Sequence, residues 1–295
     1  MNVVRRILKT VVPEPIKRGL IRPVLRHVEL SRATKTLREF YFGRQLRALK
    51  PTVLATGETH NFTYDLTSEN LRYLAETIAV ATGRSPAEIE GYIQEAIGDN
   101  ELRTYFDTKM AAHEGQKSPK NVKSPFGRRL GWYAVARALK PQIVIETGVE
   151  RGHGALLLCA ALLRNAEDGF QGKYFGTDIN PQAGWLLSGK YSAVGKILVG
   201  DSITSLREFP QAIDLFINDS DHSAEYEGRE YEVIASKLSP KAIVLGDNAH
   251  VTDKLAIFSR KAGRSFVMFH ERPEDHWYPG AGIGISYPPR ERAQF

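Results

Sequence analysis

The chain has 295 residues, 42% of them hydrophobic and 25% charged, with a net charge of +6 and a single cysteine. That length holds one large α/β domain plus a smaller appended piece, and the composition is that of an ordinary globular protein without low-complexity tracts. One cysteine excludes an intrachain disulfide, and no run reaches the roughly 18 apolar residues of a membrane span or forms a clean signal-peptide core, so a cytoplasmic protein is expected.

The charge is unevenly placed. Residues 1–50 hold 13 Lys/Arg against Glu14, Glu29 and Glu39, which is +10 and leaves −4 for the rest. A basic head suits an anionic surface such as lipid headgroups, a phosphate-bearing substrate or nucleic acid; a solvated helical arm suits the same charges. Val3, Val4, Ile7, Leu8 and Val11 recur near the helical period between basic residues, which allows an interfacial helix and peripheral membrane contact. No nucleic-acid module shows its fingerprint. The sequence allows a homo-oligomer without specifying one.

Helices are predicted over Ser31–Leu49, from Thr67 or Ser68 through the apolar-periodic run Leu71–Val80, and after Ser85-Pro86, where serine caps and proline takes the first turn. His113–Pro125, rich in Gly, Lys, Ser and Pro, reads as a linker. Residues 1–125 are therefore taken as a helical N-terminal region and 126–295 as a second domain.

From there, short apolar or β-branched runs alternate with helical segments. The strands are Ile143–Thr147, Lys173–Thr177, Lys196–Val199, Leu215–Asn218 and Ala242–Leu245. The helices are Gly154–Asn165, Pro181–Ser192, Ser202–Phe209 and Ala224–Leu238, the first holding Cys159 in an apolar run. This alternation predicts a doubly wound α/β fold with a mostly parallel sheet, closed by two more strands, Phe266–Phe269 and Gly282–Tyr287, for seven in all.

Ligands of such sheets bind beyond the carboxyl ends of the strands. The first end reads Glu146-Thr147-Gly148-Val149-Glu150-Arg151-Gly152-His153-Gly154, a turn that lets backbone approach a ligand and opens a helix. The second supplies Asp178, placed to accept both ribose hydroxyls of a nucleoside. The third supplies Gly200-Asp201-Ser202, beside an adenine position. Each alone also suits a structural turn; three at successive strand ends point to a nucleoside cofactor.

The segment from Arg129 to Pro289 resembles class I S-adenosylmethionine-dependent methyltransferases. Within them it is most similar to the group containing cephalosporin-hydroxylase-like and macrocin-type O-methyltransferases, distantly related to catechol O-methyltransferase. The resemblance implies a Rossmann-like methyltransferase fold with S-adenosyl-L-methionine at Glu146, Thr147, Gly148, Gly152, Asp178, Asp201 and Ser202.

The fourth strand ends in Asn218-Asp219-Ser220-Asp221-His222 and the fifth in Asp247-Asn248. Adjacent strands bring the two clusters together, and oxygen donors of this kind suit a hard cation, Mg²⁺ above all, that would orient an acceptor hydroxyl and lower its pKa. His222 is the expected general base, with Asp219 and Asp247 beside it. Metal-dependent relatives carry an acid at the fourth strand end and an Asp-Asp or Asp-Asn pair at the fifth, which implies ligands among Asp219, Asp221, Asp247 and Asn248; whether Asp219 or Asp221 serves stays open. The same acids also suit helix caps. His270–Gly280, with Trp277 and Tyr278, suits either an acceptor wall or loop packing.

The expected function is metal-assisted O-methylation of a hydroxyl on a sugar, glycoside, glycolipid precursor or other polar metabolite. Residues 147–154 also satisfy the TGxxxGxG pattern of short-chain dehydrogenases, but the Tyr-x-x-x-Lys pair of those enzymes occurs only at Tyr105 and Lys109, upstream of it. A cofactor-binding scaffold without catalysis is the alternative from another class.

Overall fold

The computed structural model describes residues 63–114, 122–247, 249–276 and 278–289, all within one compact unit spanning residues 58–295. The basic N-terminal segment and its expected helices lie outside the described residues, as do Asn248 and Trp277.

Three helices come first: α1 (Ser68–Thr82), α2 (Pro86–Ile97) and α3 (Asn100–Glu114). Thr67 caps α1 by accepting from the Asn70 N–H, and Ser85 caps α2 by accepting from Glu88 with Pro86 in the first turn. These side chains satisfy amide groups the helix itself leaves unpaired. Asp99 does the same for α3 through the Leu102 N–H at 2.9 Å. The helix α4 (Leu130–Leu139) follows a 3-10 turn at Gly127–Arg129. It is buried from Leu130 to Ala138, and no side chain caps its start.

The sheet has seven strands, β1 (Ile143–Thr147), β2 (Lys173–Asp178), β3 (Gly195–Val199), β4 (Ile213–Asn218), β5 (Leu238–Asp247), β6 (Ser265–His270) and β7 (Gly282–Tyr287), in the order β3-β2-β1-β4-β5-β7-β6. The first five are parallel; β7 runs antiparallel between β5 and β6. The connecting helices are α5 (His153–Glu167), α6 (Ser202–Glu208), α7 (Ala224–Ile234) and α8 (Lys254–Lys261). β1 is buried along its whole length, as expected of a central strand covered by helices on both faces.

The predicted helix over Pro181–Ser192 is not formed. Turns occupy it, followed by a 3-10 turn at Gly189–Ala193. Gly184 and Gly189 both have positive φ, so the backbone leaves the helical region twice in six residues. The helices of residues 63–114, read from the sequence as part of a separate N-terminal region, share the sheet's core: Leu74, Ile78, Ile89 and Phe106 are in one apolar cluster with Trp132, Val144 and Leu157. Cys159 is fully buried in α5. Among the described residues no helix is long and apolar enough to cross a membrane.

The register aligns the strand ends. Thr147 lies opposite Thr177 on one side and Asn218 on the other, and Asn218 lies opposite Gly246. One edge therefore presents, from neighbouring strands, Asp178, the loop after Thr147, Asp219 and Asp247. The chain winds from β1 outward to β3, then crosses back to β4; this reversal leaves a crevice beside β1 where ligands settle.

Candidate active site

A cavity of about 690 Å³ opens at this edge, within the size range of small-molecule sites. At one end are Asp178, Ile179, Gly200, Asp201, Ser202 and Tyr226; in the middle Glu146, Gly148, His153 and Gly154; at the other end Asp219 to His222, with Arg128 and Arg129.

Asp178 accepts from the backbone N–H groups of Glu150 and Asn180, both at 2.8 Å, which holds its carboxylate at the mouth and ties the loop after β1 to the end of β2. Ile179 beside it is 79% exposed, an apolar wall beside a polar anchor. Asp201 caps α6 through the Thr204 N–H and also accepts from the Tyr226 hydroxyl at 2.7 Å. The Tyr226 and Thr204 bonds hold its pKa below the usual carboxylate value.

Gly148 cannot be another residue without moving the site. It has φ 80, and a Cβ there would fall 2.1 Å from the Asp219 carbonyl oxygen. The loop after β1 thus lies directly on the end of β4. Gly152 caps α5 with φ 96 and stands against Gly184, shaping the turn without lining the cavity. Thr147 corrects its expected cofactor role: its side chain is buried and donates to Glu230 at 3.2 Å, away from the cavity.

Glu230, on α7, is a hub that sequence inspection does not single out. It accepts from Thr147, from Ser202 and Asn218 through short contacts, and from Ser220 at 2.9 Å. Burial raises its pKa to about 7 against these bonds. It ties β1, β4 and α6 into one frame beneath the site. Glu146 is 1% exposed and accepts from the Tyr174 hydroxyl at 2.6 Å. Burial pushes its pKa up to about 8. His153, buried at the start of α5, is driven to the neutral form by burial and by Arg129.

The far end is built differently from the expectation. Asp219 and Asp247 do meet, with His222: one donor atom from each lies within 4.8 Å of the others. Asp221 does not join them. It is exposed and accepts from the Ser223 N–H and hydroxyl, so it serves the turn into α7. Asp247 is not open to the cavity: Arg128 clamps it, Nε to Oδ1 at 2.6 Å and Nη2 to Oδ2 at 2.5 Å. Arg128 Nη1 also donates to the Tyr64 hydroxyl at 2.8 Å and reaches Glu271 Oε1 at 3.3 Å. Tyr64 in turn donates to Glu271 at 2.7 Å. Burial opposes a charged Arg128, but Asp247, Tyr64 and Glu271 outweigh it and hold its pKa well above the ordinary value. Burial likewise opposes the Asp247 charge, and Arg128 overcomes it. Asp219 is raised by burial and by Asp247. Arg129 lies 3.6 Å from Asp219 and packs on Trp132, with its Nε buried and unpartnered.

For the expected Mg²⁺, Asp219, His222 and Asp247 are the three donors that come together, but both Asp247 oxygens already accept from one guanidinium. Neither arginine was anticipated as a site residue. The available signal was an Arg128-Arg129 pair opening an almost wholly apolar segment, since charged residues are buried only when partnered. Tyr278 and His276 pack on the Tyr64 ring, at 5.7 and 5.3 Å between centroids, which gives that loop a packing role.

A family model described as a methyltransferase domain matches residues 145–249. No curated protein matches the chain in sequence. Similar solved structures include the O-methyltransferase TomG from Streptomyces achromogenes, involved in tomaymycin synthesis and solved with SAM, at 16% identity, covering 64% of this chain and 90% of that one, TM-score 0.47. The O-methyltransferase from Bacillus cereus in complex with SAH is 13% identical, covering 65% and 91%, TM-score 0.46. A methyltransferase from Geobacter sulfurreducens is 15% identical, covering 69% and 98%, TM-score 0.47.

Proposed function

We propose, for a chain that carries a class I methyltransferase domain, that it moves a methyl group from S-adenosylmethionine to a hydroxyl oxygen of a sugar or another polar small molecule. The observation that supports this best is the single cavity joining Asp178 at the end of β2 to Asp219 and His222 after β4. A nucleoside end and a proton-removing end thus share one chamber.

S-adenosylmethionine, when bound, supplies a methyl carbon made electrophilic by its sulfonium. Asp178 anchors the ribose, with Ile179 as an apolar wall for the base. Asp201 and Ser202, tied to Tyr226, shape the floor there. At the other end His222 stands at the rim of the cavity, its Nε2 3.7 Å from Asp219 Oδ1. The acceptor oxygen bonds to the methyl carbon as the carbon–sulfur bond breaks, the electron pair leaving with sulfur, and the hydroxyl proton passes to His222. Asp219 gives the resulting imidazolium a carboxyl neighbour. Polar lining from Ser220, Asp221 and His222 suits an acceptor with several hydroxyls.

The test is transfer of tritiated methyl from S-adenosylmethionine to a panel of glycosides, polyols and amines, with product linkage checked by its resistance to mild alkali. An alkali-stable methyl ether is expected. His222→Ala should slow turnover about 10²- to 10⁴-fold with cofactor affinity unchanged. Transfer to amines alone would contradict the oxygen assignment.

A further inference from the structure

We infer that Arg128 stands where a divalent ion would otherwise neutralise the acids of this site, so that the reaction centre holds no resident metal. The inference rests on the methyl-transfer reading for the reaction itself and on geometry for the charge.

Among the described residues, Asp219, His222 and Asp247 are the group close enough to share an ion. Mg²⁺ requires near-octahedral oxygen ligation at about 2.0–2.1 Å. Each Asp247 oxygen already accepts from the planar fork of Arg128, one nitrogen per oxygen, so an ion bound there would share both oxygens with a fixed positive charge. Arg128 is not free to swing aside. Its remaining nitrogen is held by Tyr64 and Glu271, and Glu271 is itself fixed by the Ala281 N–H at 2.7 Å. The side chains of Arg128, Asp247 and Glu271 are no more than 5% exposed, so an ion that displaced Arg128 would strand a buried guanidinium and a buried carboxylate together.

The local charge points the same way. Asp219, Asp247 and Glu271 face two guanidiniums, Arg128 and Arg129. A divalent ion would add two further positive charges beside a pair of arginines that are almost wholly buried. Asp221, the other acid offered by the sequence, lines the cavity but stands outside that group and accepts from Ser223 in the turn into α7. The site is therefore closed by arginine: Arg128 fixes Asp247, Arg129 steadies Asp219, and Asp219 is left facing His222.

The experiment is titration of the full chain with MnCl₂, followed by calorimetry and by the electron paramagnetic resonance signal of free Mn²⁺, alongside a S-adenosylmethionine titration of the same sample. The wild-type chain should leave the free Mn²⁺ signal undiminished, show no saturable heat, and keep its melting temperature in EDTA. Arg128→Met, which empties the guanidinium position but keeps its bulk, should acquire Mn²⁺ binding and recover melting temperature with Mn²⁺. Stoichiometric Mn²⁺ binding by the wild type, lost in Asp247→Asn, would overturn the inference, as would a folded Arg128→Met chain that ignores Mn²⁺. Should Arg128→Met not fold, the wild-type titration decides alone. Failure to bind S-adenosylmethionine would instead strike the methyl-transfer reading.

Discussion

The two ends of the cavity are built on different principles. The nucleoside end is held by exposed turns: Asp178 accepts from the amides of Glu150 and Asn180, and Asp201 from Thr204 three residues on. The reacting end is assembled across the whole chain, with Tyr64, Arg128, Asp247 and Glu271 meeting in one buried network. Local turns tolerate loss of a member, because water reaches the groups left behind. A closed ionic network does not, because each carboxylate depends on a cation that no solvent can replace. One end should thus govern binding and the other should govern both chemistry and stability.

The largest expected effect tests that contrast directly. Arg128→Ala should destabilise the fold by about 3–5 kcal/mol, the cost of leaving a buried charge unpaired, measured by urea denaturation. Asp178→Ala should leave stability within about 0.5 kcal/mol. Equal losses from the two substitutions would erase the distinction. Asp178→Ala should act instead on the cofactor, weakening S-adenosylmethionine about 10²-fold, the equivalent of about 2.7 kcal/mol for its charge-assisted bonds; unchanged affinity by calorimetry would remove the ribose assignment.

A pH dependence sharpens the comparison at the middle of the cavity. Glu146 has a folded pKa raised from 4.5 to about 8 by burial, so the folded state binds the proton more tightly than the unfolded chain does. Its contribution is fully present below the unfolded pKa and is lost as pH rises toward 8. Stability should fall by about 3–4 kcal/mol from this group between pH 5 and 8, and Glu146→Gln should flatten that slope. Glu230, raised to about 7, slopes the same way and should leave a smaller residual dependence in the variant. The smallest effect belongs to Ile179→Ala, which should weaken cofactor binding less than 10-fold, about 1 kcal/mol for partial apolar contact.

The same contrast explains what could be read from the sequence. All seven strands and the ends carrying Asp178, Asp201, Asp219 and Asp247 were legible, because β-branched runs ending in Gly, Asp or Asn are written locally. Helix α4 was not, because no capping side chain marks its start. The turn region Pro181–Ser192 read as helix until Gly184 and Gly189 were seen at positive φ. The capture of Asp247 by Arg128 spans 119 positions, and no spacing rule marks such a pair. Asp219 and Asp221 are equivalent on paper; the fold sets Asp219 beside His222 and Asp247 and ties Asp221 to Ser223 in the turn into α7. The helices expected over Ser31–Leu49 and in the basic N-terminal segment, and the Asn248 position, lie outside the described residues.

The most direct test of the central claim is calorimetric titration of the full chain with S-adenosylmethionine and, separately, with NADP⁺. The account predicts saturable binding of S-adenosylmethionine, weakened about 10²-fold in Asp178→Ala, and no heat from NADP⁺. Preferential binding of the nicotinamide cofactor would contradict it and return the glycine pattern at 147–154 to a dehydrogenase reading.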